Sequence, residues 1–272
     1  MNQDLKAAVY GLAVADALGV PYEFQERGSF EATGMTGYGS HQQPAGTWSD
    51  DTSLVLATCD SIRGKGKIDP ADMQQRFKNW LFEGVYTPDG LTFDVGNATR
   101  EALTRGHGLS DEYSNGNGSL MRILPLAFTE ANPSDIEAIS SITHAHETSV
   151  EACQVYVAIA RRLLKGQQLS EILSDLETST TYARLQTLAE LTEADIRSSG
   201  YVVDTLEAAL WCLLTSTSYP ETVLKAVNLG DDTDTVAAVA GGLAGIIYGL
   251  DEIPDNWLAQ LRNKELLESC LF

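Results

Sequence analysis

Apolar residues recur at three- and four-residue spacing along most of this chain, in Leu5 to Val20, Thr52 to Ile62, Met73 to Phe82, Ala98 to Thr104, Leu120 to Phe128 and Val150 to Leu164. The same spacing continues through Tyr182 to Leu191, Thr205 to Leu214, Thr222 to Val227, Thr235 to Leu250 and Trp257 to Leu267. That period marks one face of an α-helix, whereas a half-buried strand alternates every second residue. Only Tyr201 to Val203 hints at alternation, and it is short. Start signals agree. Ser49-Asp50-Asp51, Asn132-Pro133-Ser134-Asp135 and Asp234-Thr235 each precede an apolar run, where side-chain oxygens can accept from the free N–H groups of a first turn. The pattern predicts an all-α fold, a compact multi-helix bundle packed in more than one layer.

With 272 residues, 43% of them hydrophobic and 21% charged, the chain has material for a sizeable core. No linker, low-complexity tract or repeat divides it, so one domain over 1–272 is expected. The net charge of -20 argues against broad contact with nucleic acid or anionic lipid. An anionic ligand would need a cation or backbone N–H groups to receive it. Cys59, Cys153, Cys212 and Cys270 are scattered in apolar helical patterns and read as reduced core residues. The first residues lack a basic signal-peptide region, and no apolar run reaches the ~20 residues of a membrane span. A cytoplasmic monomer is the expectation.

Two segments escape the periodicity. Gln25 to Trp48 is long for a connection inside a domain, which suggests a functional loop, and its aromatic residues suggest that it packs onto something. Ser114 to Ser119 reads SNGNGS. It lacks the Lys and Ser or Thr that would complete a P-loop.

The chemistry is concentrated at two predicted helix mouths, GDDTDT from Gly230 to Thr235 and SDDT from Ser49 to Thr52. Capping consumes one or two oxygens, and each mouth carries more. Adjacent partly buried carboxylates repel, and without a cation some take up protons. A site shared by two such mouths would offer oxygen ligands only, which suits Mg²⁺ or Mn²⁺ better than Zn²⁺. The spacing argues against an EF-hand, because Ala237 and Leu243 stand where its Gly and bidentate Glu belong.

Six stretches in order carry a family resemblance: ADALGVPYE (Ala15 to Glu23), GTWSDDTSL (Gly46 to Leu54), FDVGNATREAL (Phe93 to Leu103), NGNGSLMRILPL (Asn115 to Leu126), THAH (Thr143 to His146) and GDDTDTVAAVAGGLAG (Gly230 to Gly245). With them the chain resembles the ADP-ribosylglycohydrolase family, which includes dinitrogenase reductase-activating glycohydrolase and the ADP-ribosylarginine hydrolases. The resemblance implies an orthogonal helical bundle with a central metal cleft and two Mg²⁺ or Mn²⁺ ions. Their ligands would be Ser49, Asp50 and Asp51 from one mouth and Asp232, Asp234 and Thr235 from the other. Ser49 keeps the hydroxyl of the Thr found in many relatives, and Asp231 stands where Gly is frequent.

The implied reaction cleaves the bond between the anomeric carbon of ADP-ribose and an acceptor, most readily on ADP-ribosylated protein with arginine as first acceptor. Glu23, Asp94 and Asp234 would be the catalytic acids. Asn97, Gly116, Asn117, Gly118, Ser119 and His144 would contact substrate. Taken from the residues alone, Glu23 is a loop acid, Asp94 a helix cap, SNGNGS a flexible connection and His144 a structural histidine. A non-catalytic ADP-ribose-binding or structural protein, or a phosphohydrolase cutting the pyrophosphate, remains open at this level.

Overall fold

The computed structural model describes residues 2–272. Helix α1 (Gln3–Gly19) is started by Asn2, whose side-chain oxygen accepts from the N–H groups of Asp4 and Leu5 at 3.0 and 3.4 Å. It is buried around its whole circumference from Ala7 to Gly19. This is why small and apolar residues occupy every face of it rather than one stripe.

The remaining α-helices are α2 (Asp50–Lys65), α3 (Pro70–Glu83), α4 (Asn97–Arg105), α5 (Pro133–Ser140), α6 (Glu147–Leu163), α7 (Leu169–Ser174), α8 (Val202–Leu214), α9 (Tyr219–Asn228), α10 (Thr233–Tyr248), α11 (Asp255–Gln260) and α12 (Lys264–Cys270). Among the described residues there is no strand, only isolated bridges such as Leu109 with His144 and Gly116 with Tyr201. No helix among them is long and apolar enough to cross a membrane. The all-α reading of the sequence therefore holds.

The centre is the pair α1 and α10, with α8 and α9 against α10 on one side and α2 joining it to α3 and α12 on the other. The pair runs antiparallel. Gly19 lies on Asp234, Gly11 on Gly241, and Ala7 on Gly245. A methyl group on Gly241 would sit 2.5 Å from the Gly11 carbonyl oxygen and from the Ala15 Cβ. Missing side chains thus let the two backbones touch, and Thr233 Oγ1 ties the seam by donating to the Gly19 carbonyl at 2.8 Å.

Several local expectations are corrected. Leu120 to Phe128 is two 3-10 turns, Leu120–Arg122 and Leu124–Phe128, because Pro125 supplies no N–H to continue a helix. Tyr182 to Glu190 lies in the 3-10 segment Thr180–Glu190, and Leu191 follows it. Trp257 to Leu267 is split between α11 and α12, where Asn263 turns to φ 42° and caps the second helix. Tyr201 to Val203 is no strand, since Val202 opens α8. Asp234 and Thr235 fall inside α10, whose preceding residue, Asp232, makes no side-chain cap bond. The start signal at Asn132 is a full capping box with Asp135.

The close seam yields a test. Helix propensity alone favours Ala over Gly by ~1 kcal/mol. Gly241→Ala is nevertheless expected to destabilise the protein by ~1–3 kcal/mol, as overpacking against backbone does. Urea unfolding measures it, and a stabilised variant would show that the two helices part without cost.

Candidate active site

The two acid-rich helix mouths meet. At the first, Ser49 caps α2 by accepting from the Asp51 N–H at 3.3 Å. A further carboxylate, Asp16, reaches across from α1. It accepts from the N–H of Ser49 at 2.9 Å, the N–H of Thr52 at 3.1 Å and the Thr52 hydroxyl at 2.6 Å. An acid at the positive end of a helix is favoured there. Burial pushes the Asp16 pKa up to about 6 even so, against the pull of those hydrogen bonds.

At the second mouth, the Thr235 N–H donates to Asp234 Oδ1 at 2.9 Å, and Asn117 Nδ2 donates to Asp232 Oδ2 at 2.7 Å. The two mouths share Asp51. Its Oδ2 accepts from Ser49 Oγ at 3.1 Å and from Thr235 Oγ1 at 3.2 Å.

Three buried oxygens, Asp51 Oδ1, Asp232 Oδ1 and Asp234 Oδ2, find no hydrogen-bond partner among the described residues. Buried acceptors are normally satisfied, so three on adjacent carboxylates need an explanation. Burial first, and then neighbouring carboxylates, raise the pKa values of Asp50, Asp51 and Asp234 well above the ordinary range, and burial takes Asp232 up to about 6. A hard divalent cation meets both conditions, because it satisfies the unpaired oxygens and restores the charged form of each acid. The donor set of carboxylates and hydroxyls therefore fits Mg²⁺ or Mn²⁺.

Above the mouths lies a cleft of about 350 Å³, lined by Glu23, Asp50, Asp94, Asp232 and Thr235. Its lining also includes Asn97, Gly116, Asn117, Gly118 and His144, with Asn117 hydrogen-bonded to Asp232. Carboxylate oxygens of Glu23, Asp232 and Asp234 come within 4.8 Å of one another. Burial, with Asp94 and Asp232 nearby, raises the Glu23 pKa to about 10. Asp94 is not the α4 cap. Its backbone takes φ 52°, and Gly96 precedes the first helical residue, Asn97, so the carboxylate is free to face the cleft.

The Gly-rich loop is built differently from its expected role. A three-residue 3-10 turn follows it, so no long helix presents a positive end to a phosphate. Ser119 is wholly buried, receives hydrogen bonds from Ser140 Oγ and Cys153 Sγ, and does not line the cleft. The Asn117 amide is engaged with Asp232 and Thr205, which makes it a brace for the α10 mouth. Gly118 touches substrate space only because it has no side chain. A methyl group there would lie 2.8 Å from His144 Cε1 and 2.9 Å from Thr99 Oγ1. His144 itself is buried, hydrogen-bonded to Thr143 Oγ1 at 2.8 Å, and driven down to a pKa of about 3 by burial and Arg122. Its ring is neutral at physiological pH. His146 caps α6 through Nδ1 instead of facing the cleft.

Two residues with direct bearing on the site went unassigned in the sequence, Asp16 and His41. Asp16 had a signal, being an acid flanked by Ala15 and Ala17 in an apolar helix. His41 had none, since the run around it has no period. Asp16→Asn keeps the size but turns an amide N–H₂ toward donors. It is expected to cost ~1–3 kcal/mol of stability and to weaken Mg²⁺ binding ~10–100-fold, as loss of a residue supporting metal ligands does. Denaturant unfolding and calorimetric titration measure the two, and unchanged Mg²⁺ affinity would detach Asp16 from the site.

Comparisons with known proteins give one family. The model of the ADP-ribosylglycohydrolase family matches residues 2–271. The chain is 36% identical to the ADP-ribosylarginine hydrolase Tri1 of Pseudomonas putida (strain GB-1), over 94% of this chain and 73% of that protein. It is 33% identical to the ADP-ribosyl-[dinitrogen reductase] glycohydrolase of Rhodospirillum rubrum, over 94% and 90% of the two chains. A solved structure described as an ADP-ribosylglycohydrolase-related protein complex superposes with a TM-score of 0.82 at 34% identity, covering 98% of this chain and 95% of the other. With a match across nearly its whole length and an all-α fold to go with it, the chain belongs to the ADP-ribosylglycohydrolase family.

Proposed function

We propose that the protein removes ADP-ribose from modified protein by hydrolysing the bond at the anomeric carbon, with arginine as the acceptor and two Mg²⁺ or Mn²⁺ ions in the centre. The observation that carries this reading is the meeting of two helix mouths at Asp51, with three carboxylate oxygens unpaired beneath a cleft. The names of relatives at 32 to 36% identity support arginine. Four unpaired, buried thiols support a reducing compartment such as the cytoplasm.

Ser49, Asp50, Asp51, Asp232, Asp234 and Thr235 are the residues that would hold the ions, which supply orientation of ribose hydroxyls and activation of water. Glu23 lies over Asp232 and Asp234 on the cleft wall and is the group placed to move a proton at its carboxyl oxygen. Asp94 flanks it and adds negative charge where positive charge develops on the ribose ring. Asn97, at the exposed start of α4, offers an amide to the diphosphate or distal ribose, and the neutral wall of Gly116, Gly118 and His144 accommodates that part of the ligand without adding negative charge.

Incubation with an arginine-ADP-ribosylated peptide tests the reading by product analysis. Free ADP-ribose is expected with Mg²⁺ or Mn²⁺ and none with chelator, whereas AMP with ribose phosphate would move the reaction to the pyrophosphate. Asp234→Asn and Asp50→Asn are each expected to lose at least ~100-fold in turnover, the upper end of what outer partners of a metal cost, while remaining folded. Parental turnover in both would remove the site.

A further inference from the structure

We propose that His41 is a positioning residue for Glu23, its imidazole wedged between Phe24 and Phe93 and holding the Glu23 carboxyl over Asp232 and Asp234. This rests on the hydrolase reading for its consequence, while the contact itself is a matter of geometry. His41 Nε2 meets Glu23 Oε2 directly and lies 4.0 Å from Asp94 Oδ1.

The intervening chain is folded so as to make this contact. Glu23 follows the 3-10 turn Val20–Tyr22, and His41 ends a second 3-10 turn, Gly39–His41, packed on the first. Gly39 adopts φ +53°, and a Cβ there would overlap the Pro21 carbonyl, so only glycine permits the approach. Ser40 Oγ donates to the Glu23 carbonyl at 2.5 Å, which fixes the backbone of one partner to the neighbour of the other. Tyr38 and Gln42 on either side of the turn take φ 69° and 55°, conformations that non-glycine residues enter only when their surroundings impose them.

The ring is gripped as well as delivered. Its centroid is 5.8 Å from that of Phe24 and 5.2 Å from that of Phe93, tilted by 51° and 48°. Phe24 is 71% exposed yet held at φ 65° by its N–H bond to the Asp231 carbonyl at 2.7 Å. A large apolar side chain kept at the surface in that conformation serves as a wall. The wall prevents the imidazole from swinging away, and so prevents the Glu23 carboxyl from turning toward solvent. A carboxyl that moves a proton must keep its oxygen within hydrogen-bond reach of the reacting atom, and a misplacement of ~1 Å costs ~10²-fold in rate.

His41→Leu keeps the volume and removes the N–H, and His41→Gln keeps a donor of similar reach. His41→Leu is expected to lower kcat ~100-fold with KM within about threefold, and His41→Gln to retain kcat within about tenfold of the parent. Unchanged kcat in His41→Leu would overturn the proposal. So would equal loss in both variants together with a lowered melting temperature, which would make His41 a packing residue. A readout independent of turnover uses ¹⁵N-histidine NMR, in which the chain's four histidines are resolvable. The His41 Nε2 resonance, identified by its absence in His41→Gln, is expected to shift in Glu23→Gln, and indifference to that change would also overturn the pairing. Were the parent to cleave no conjugate, the shift would still decide whether His41 holds Glu23, so failure of the hydrolase reading and failure of the pairing are told apart.

Discussion

The contact of α1 with α10 through bare backbone determines where every group of the candidate site stands. Because Gly11, Gly241 and Gly245 lack side chains, the two helices lie in direct contact, and Gly19 is brought against Asp234. One turn before that point, Asp16 projects to the first turn of α2. Just beyond it, the chain leaves the helix through Val20–Tyr22 and emerges at Glu23. A single buried rail thus carries a clamp for one helix mouth, an abutment for the other and the acid above both. Residues more than 180 positions apart, such as Asp51 and Thr235, meet as a consequence.

Burying so many carboxylates is costly, and the fold offsets the cost unevenly. Asp16 is saturated by donors from α2, and Asp232 has the Asn117 amide on one oxygen. Asp51, Asp232 and Asp234 each keep an oxygen without a protein donor. The nearby buried cation does not repair this. Arg122 is turned onto the carbonyls of Gly118 and Ile139 and the face of Phe77, and among its nitrogens Nε has no partner. Donors are supplied to Asp16 and withheld from one oxygen on each of three neighbouring carboxylates, a distribution that a cation site explains better than a core that merely tolerates acids.

Helices and acid-rich mouths were legible because both are local. A 3.6-residue period and a Ser or Asp before an apolar run report on the residues that carry them. The path of Gln25 to Trp48 was not, since it depends on approaches between distant backbones, Gly39 to Pro21 and Gly46 to Gln260, and on the Asn228 amide bonded to Ala32. His41 lies on that path and was missed with it. Asp94 looked like a cap because Asp before a helix usually is one, and only its left-handed backbone turns it elsewhere. Asn117 and Ser119 are assigned as substrate contacts by the family resemblance, since the residues alone give only a flexible connection. Their side chains are instead spent inward, on Asp232, Thr205, Ser140 and Cys153. The residues alone pointed to crowded oxygens, and the assignment of particular ligands came from the family resemblance.

The cleft also has a polarity that follows from these packing details. Its lining sets acids beside glycine, amide and a histidine kept neutral by burial and by Arg122. A protonated imidazole beside Arg122 would double the buried positive charge, so neutrality is the cheaper state. Gly118 has to be glycine because the neutral ring is packed directly behind it. A ligand carrying a diphosphate at one end and a ribose at the other meets repulsion from the acids unless cations cover them, and no added negative charge from the glycines or the neutral ring.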